Sequence, residues 1–177
     1  MADEPPVLSG ERVRLRPISD GDVPAIASIL AEPSVVKWWG EHDEAKTRRE
    51  LIEDPECETF VVERDGEVIG IVLISEENDP QYRHASLDIS LATAHQGQRV
   101  GREALALAID HLIKERGHHR ITIDPAAENA VAVRCYASLG FRPVGIMREY
   151  ERAPDGRWRD GLLMDLIAQE WRGTDRA

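Results

Sequence analysis

Apolar positions along the chain change period repeatedly, and each change marks an element. Glu11-Arg-Val-Arg-Leu-Arg16 alternates polar and apolar residues, as a strand with one buried face does, and Pro17 ends it. Ser19 offers an N-cap and Asp22 an acidic first turn to a helix with Val23, Ile26, Ile29 and Leu30 at helical spacing, which Pro33 stops. Val35-Val-Lys-Trp38-Trp39-Gly40 follows, then a charged segment from Glu41 to Glu53 that is expected to be helical. Apolar runs at 59–63 and 67–74 flank Asp65-Gly66, a strong hairpin signal. After an acidic loop, His84–Leu91 alternates again, with Ala85, Leu87, Ile89 and Leu91 on one face and Ser86, Asp88 and Ser90 on the other.

A helix from about Gly101 to Arg116 carries the apolar stripe Ala104, Leu105, Ala108, Leu112 and Ile113. Arg120–Asp124 reads as a strand, and a short helix from Asn129 is closed by Gly140. Phe141–Glu149 and Gly161–Ile167 form a last hairpin around Asp155-Gly156. Residues 1–8 and 172–177 are expected to be frayed tails. The order β-α-α-β-β-β-α-β-α-β-β predicts one domain of the α/β (α+β) class. Its central sheet should be mixed and mostly antiparallel, with helices on both faces.

Two segments carry candidate chemistry. In the helix after Asp124, Asn129, Ala132, Tyr136 and Gly140 are 3, 4 and 4 residues apart and share one face. That face presents an amide, a methyl and a phenol just past a strand end, where open α/β sheets bind ligands. The plainer reading of Tyr136 is a core aromatic with its hydroxyl near the surface. Gln96-Gly97-Gln98-Arg99-Val100-Gly101 joins a strand to a helix start, where backbone N–H groups and the helix dipole suit a phosphate. A P-loop is excluded, because no Lys-Ser/Thr pair follows, and a full Gly-x-Gly-x-x-Gly is missing.

The helix resembles the Asn-x-x-Ala-x-x-x-Tyr-x-x-x-Gly-Phe signature of the GCN5-related N-acetyltransferase (GNAT) superfamily. The loop resembles that family's Gln/Arg-x-x-Gly-x-Gly/Ala pyrophosphate turn, with Arg99 in place of the middle glycine. The resemblance covers nearly the whole chain and implies an acetyl-CoA-dependent N-acetyltransferase. It assigns the cosubstrate to Gln96, Gln98, Arg99, Val100, Gly101 and Arg102, to the strand backbone at Ile89 and Leu91, and to Asn129, Ala132 and Tyr136. Tyr136 then faces the thioester sulfur as general acid. Asp88, on the polar face of its strand, is the candidate base; backbone N–H groups around Ile89 to Leu91 are candidates for the oxyanion contact. Arg99 in the glycine position demands an acceptable φ there.

Composition narrows the partners. Hydrophobic residues make up 42% of the 177, as in an ordinary globular protein, and no apolar run is long enough for a membrane span. The acidic N-terminus lacks the regions of a signal peptide, so a cytoplasmic protein without membrane partners is expected. Cys57 and Cys135 have no metal or redox spacing and are expected to be reduced thiols. The net charge of −11 argues against nucleic acid and suits a cationic small-molecule acceptor, although solubility alone accounts for many acidic surfaces. His95, His118 and His119 lack ligand spacing, so no metal is expected; His118-His119, after the helix-ending Gly117, suits the helix dipole.

Short blocks resemble the aminoglycoside 6′-N-acetyltransferases: Val35–Gly40, Leu87-Asp88-Ile89, Thr122–Pro125, and Asn129 with Arg134-Cys-Tyr136. That branch implies Trp38 and Trp39 beside a sugar, Asp88 and Asp124 on the amine, and antibiotic resistance as the outcome. Trp38 or Trp39 could instead close the core, and Asp124 before Pro125 could cap a loop. Polyamine or protein N-terminal acetylation stands as the rival activity, since the N-terminal and C-terminal strand blocks occur there too. A non-catalytic acyl-CoA sensor is the rival of another class. A monomer or homodimer is expected.

Overall fold

The structure is a computed structural model and describes residues 6–173. Expected tail residues 1–5 and 174–177 lie outside that range. Eight strands build one sheet: β1 (Leu8–Ser9), β2 (Arg14–Pro17), β3 (Glu58–Arg64), β4 (Glu67–Glu77), β5 (His84–Leu91), β6 (Arg120–Ile123), β7 (Arg142–Arg152) and β8 (Trp158–Ile167). The spatial order is β1-β2-β3-β4-β5-β6-β8-β7. Helices α1 (Val23–Leu30), α2 (Pro33–Trp39) and α3 (Glu44–Leu51) precede β3; α4 (Val100–Asp110) and α5 (Ala130–Leu139) flank β6.

Strand alternation divides the core between the two faces. Phe60, Val62, Val72, Ile74, Ala85 and Leu87 pack under Val100, Ala104, Leu105, Ala108 and Ile109 of α4 and Tyr136 and Leu139 of α5. Val61 and Ile71 turn the other way, onto Ile26 and Leu30 of α1, Val35 of α2 and Leu51 of α3. The β3–β4 hairpin forms where Asp65-Gly66 predicted it, with φ of 52° and 82° at the two turn residues.

Several expectations are corrected. Leu8 is not frayed: it pairs with Leu15 and packs on the core. Pro33 does more than stop a helix. Its fixed φ and missing N–H suit a first helical turn, and it opens α2. Regular α4 ends at Asp110 and continues as a wide π-turn over His111–Glu115. His118 does not lie on the surface at a helix end; its ring is fully buried, 2.5 Å from Glu76 Oε1. Arg116 completes that cluster, bridging Glu58 and Glu76. Just before the expected C-terminal tail, Trp171 is held in place, its indole N–H donating to Asp110 at 2.6 Å.

One break in the sheet positions everything that follows. β5 and β6 are the parallel neighbours, and they pair only at Ala85–Ile121 and Ser86–Thr122. β4 stays paired to β5 as far as Gly70–Leu91. From Leu87 onward β5 therefore has a strand on one side and a gap on the other.

Candidate functional site

The gap is lined by backbone. The N–H of Ala92 donates to Ile69 O, so by antiparallel alternation the N–H groups of Ile89 and Leu91 face away from β4, into the gap. Ile89 N–H is already engaged, donating to Asp88 Oδ1 at 2.8 Å. Of the expected oxyanion donors, that leaves the Leu91 N–H facing the gap.

At the C-terminal end of β5 the chain turns into α4. Arg99 occupies the turn in the left-handed region, with φ 65° and ψ 1°, so a non-glycine residue does take the conformation the resemblance required of it. Gln96 and Gln98 spend their side chains on the loop: Gln96 Nε2 donates to Leu91 O at 2.9 Å, and Gln98 Nε2 to Ala94 O at 2.6 Å. The Val100 side chain is fully buried, so it can offer a ligand no side-chain contact. A Cβ on Gly101 would lie 3.0 Å from Leu91 Cδ1, so this glycine serves the close approach of α4 to β5. Arg102, one turn into α4, donates to Ser138 O of α5 at 3.3 Å.

Across the gap, Asn129 caps α5, its side chain accepting from Ala132 N at 3.2 Å. Ala132 packs on the core, and Gly140 ends the helix at φ 103°, where a side chain would be strained. Tyr136 combines both readings. It is 6% exposed and meets Phe141 edge-on at 6.3 Å, as a core aromatic does. Its hydroxyl also lies within electrostatic reach of Asp88 and Asp124. Burial, reinforced by the charges of Asp88, Cys135 and Asp124, holds this phenol protonated well above the usual tyrosine value.

Asp88 is exposed to solvent, yet the protein packed around it governs its titration. Burial pushes its pKa up to about 7; the Ile89 N–H opposes the rise, and the charges of Asp124 and Glu151 add to it. Burial also raises Asp124, while a hydrogen bond from Tyr150 Oη at 2.5 Å favours its charged form. Among the described residues neither carboxylate has a lysine or arginine partner.

The tryptophan pair divides. Trp39 packs against the α1–α3 core. Trp38 is half-buried, with Lys37 Nζ 4.4 Å and Arg159 Cζ 5.3 Å from its ring centre, so cations of the chain itself cover it. The sequence reading missed Tyr150, Glu151 and Arg159. Arg159 donates to Glu151 at 2.8 Å and to the carbonyls of Lys37 and Trp38 at 2.8 and 3.0 Å. Only their closeness in sequence to a Gly/Asp turn pointed to them, and that fixes no direction.

Cys57 and Cys135 are free, half-buried thiols, and burial raises both. Among the described residues no group of three or more metal-ligating side chains converges, and no helix is long and apolar enough to cross a membrane.

This strand-gap-helix arrangement agrees with comparisons to known proteins. The sequence model of the acetyltransferase (GNAT) domain matches residues 12–142, and the chain belongs to that family. It is therefore an acetyl-CoA-dependent N-acetyltransferase. The spermidine N(1)-acetyltransferase of Escherichia coli K12 is 26% identical over 170 residues, covering 92% of this chain and 90% of that one. The aminoglycoside N(6′)-acetyltransferase type 1 of Klebsiella pneumoniae is 27% identical over 168 residues, covering 84% and 81%. Among solved structures, Mycobacterium smegmatis RimJ in complex with CoA-disulfide superposes with a TM-score of 0.84 at 26% identity, covering 97% and 93%.

Proposed function

We propose that this enzyme acetylates a primary amine of a polycationic small molecule, with Asp88 as base, Tyr136 as acid and Asp124 as a charge anchor. The observation that carries this reading is the pair of carboxylates, Asp88 and Asp124, which have no cationic partners among the described residues and act electrostatically on the buried Tyr136 phenol. An acceptor ammonium would supply the charge that the described residues do not.

The residues present suit acetyl-CoA, which supplies the activated acetyl group. The start of α4 offers backbone N–H groups to a pyrophosphate, with Arg99 adding a cation. The open edge of β5 offers the Leu91 N–H to the thioester oxygen. Asp88 takes the proton that the acceptor ammonium must lose before its nitrogen can attack. As the C–N bond forms and the C–S bond breaks, Tyr136 gives its proton to the departing sulfur, and the second proton shed by the acceptor nitrogen as it becomes an amide restores the phenol. Asp88 titrating near 7 is poised to be a base at neutral pH, whereas an ordinary aspartate is too weak.

Two acceptors fit this reading. A linear polyamine needs only carboxylates, and the spermidine-acetylating relatives support it. The 6′-amine of an aminoglycoside is the second reading, supported by the relative from Klebsiella and by the short blocks around Trp38, Asp88 and Asp124. Its sugar-stacking platform is the weaker part, because Lys37 and Arg159 cover Trp38. Thiol release from acetyl-CoA with spermidine, kanamycin A and an N-terminal peptide separates these acceptors. Turnover of the peptide alone would overturn the proposal.

A further inference from the structure

Three features of the β7–β8 hairpin converge on one side chain. The β7–β8 register shifts between Met147 and Glu151, and Glu149 takes a left-handed φ of 49° inside the shift. Its N–H is fixed by Asp160 Oδ1 at 2.8 Å. Opposite, Gly161 leaves room for an aromatic ring: a Cβ there would lie 2.7 Å from Tyr150 Cδ1. Gly161 is also tied to the loop after β6, through its bridge to Ala126 and the Leu162 N–H on Pro125 O. A bulge, an absent side chain and a cross-tie thus aim Tyr150 at Asp124, and its hydroxyl donates there at 2.5 Å. The ring is 49% exposed, so core packing does not account for its placement.

We propose that Tyr150 is a positioning residue that divides labour between the two carboxylates: its hydroxyl keeps Asp124 as the oriented anion that binds the acceptor, leaving Asp88 free to exchange a proton. The inference rests on the acceptor reading above. Two nearby carboxylates in one cleft compete for a proton, and a donor fixed on one of them decides which stays charged. The groups facing Asp124 are Asp88 from β5, Tyr136 from α5, and Glu151 and Tyr150 from β7, with Arg159 of β8 neutralising Glu151. Tyr150 is the one among them that donates to Asp124, and this bond pushes its own pKa up to about 12, so it remains a donor throughout the working range.

The test is Tyr150→Phe, which keeps the ring over Gly161 and removes the donor. With spermidine and kanamycin A as acceptors, the acceptor KM should rise about tenfold while the acetyl-CoA KM stays unchanged, since a hydrogen bond to a charged group is lost. The acidic limb of kcat/KM should move to higher pH. Carboxyl ¹³C titration of aspartate-labelled protein should show Asp124 protonating at higher pH than in the wild type. Gly161→Ala, which displaces the ring, should reproduce the acceptor effect. An unchanged acceptor KM with unchanged Asp124 titration would overturn the proposal. So would equal losses in both KM values with a lowered Tm, which mark a damaged hairpin. If the wild type acetylates neither amine, the acceptor reading fails, and the Asp124 titration still decides whether Tyr150 sets its charge.

Discussion

Arg159 Nη2 donates to the main-chain carbonyl of Trp38 at 3.0 Å, fastening the β7–β8 hairpin to the C-terminal turn of α2. The same guanidinium neutralises Glu151, a carboxylate that raises Asp88. Arg159 is mostly buried and Glu151 about one-third exposed. Arg159→Met should therefore cost about 2–3 kcal/mol, less than the full loss for a fully buried pair. Thermal unfolding reads that cost. Uncompensated Glu151 charge should also move the acidic limb of the rate profile upward, and an unmoved limb would show that Glu151 does not act on the cleft.

Asp88→Asn should lower kcat by about 10²–10⁴-fold, the usual worth of a positioned base. In the wild type kcat/KM should rise with pH through about 7, as Asp88 loses its proton. Stability should run the opposite way. A carboxyl raised in the folded state contributes stability that is fully present below its unfolded pKa and is lost as pH climbs through the folded value, here about 7. Asp88→Asn should thus gain Tm relative to wild type at pH 8 and not at pH 4. Equal Tm differences at both values would refute the raised pKa.

Tyr136→Phe removes a proton donor from a buried site without changing its packing against Phe141. The expected loss is about 10²-fold in kcat with acetyl-CoA affinity retained. Rapid-quench measurement of the chemical step is the check, since slow product release would mask the effect. A chemical step as fast as wild type would leave Tyr136 as core alone.

At the turn into α4, Arg99 holds a conformation that costs a non-glycine residue roughly 1 kcal/mol or more. Arg99→Gly should raise Tm by about 2–4 °C while raising the acetyl-CoA KM through loss of a cation. Gly101→Val should do the reverse of stabilising, because its side chain would enter the space of Leu91; overpacking of this kind costs about 1–3 kcal/mol. Differential scanning calorimetry of both variants separates strain at Arg99 from crowding at Gly101.

The long, strictly periodic pieces were legible in the sequence. The alternation in His84–Leu91 put Ala85 and Leu87 in the core and Asp88 on the exposed side, and the 3-4-4 spacing from Asn129 to Gly140 located α5, its cap and Tyr136. Pro33 misled because proline both ends one helix and begins the next, and a two-residue strand such as Leu8–Ser9 is too short to show a period. The cleft's far wall was not legible for another reason. Tyr150 reaches Asp124 only because a bulge reverses the direction its place in β7 would assign, and Arg159 finds Trp38 across 121 residues. Neither local pattern nor spacing carries such information.

The seam between β5 and β6 also has a mechanical consequence. Five strands on one side and three on the other meet through two residue pairs. Leu91 lies five residues beyond the last of them, about 17 Å along an extended chain, so a small rotation at the seam becomes a wide opening at the far end. A long molecule laid in that opening would act as a rivet between two leaves. Its binding should slow amide hydrogen exchange in β7 and β8 as well as in β5, including at residues it never touches.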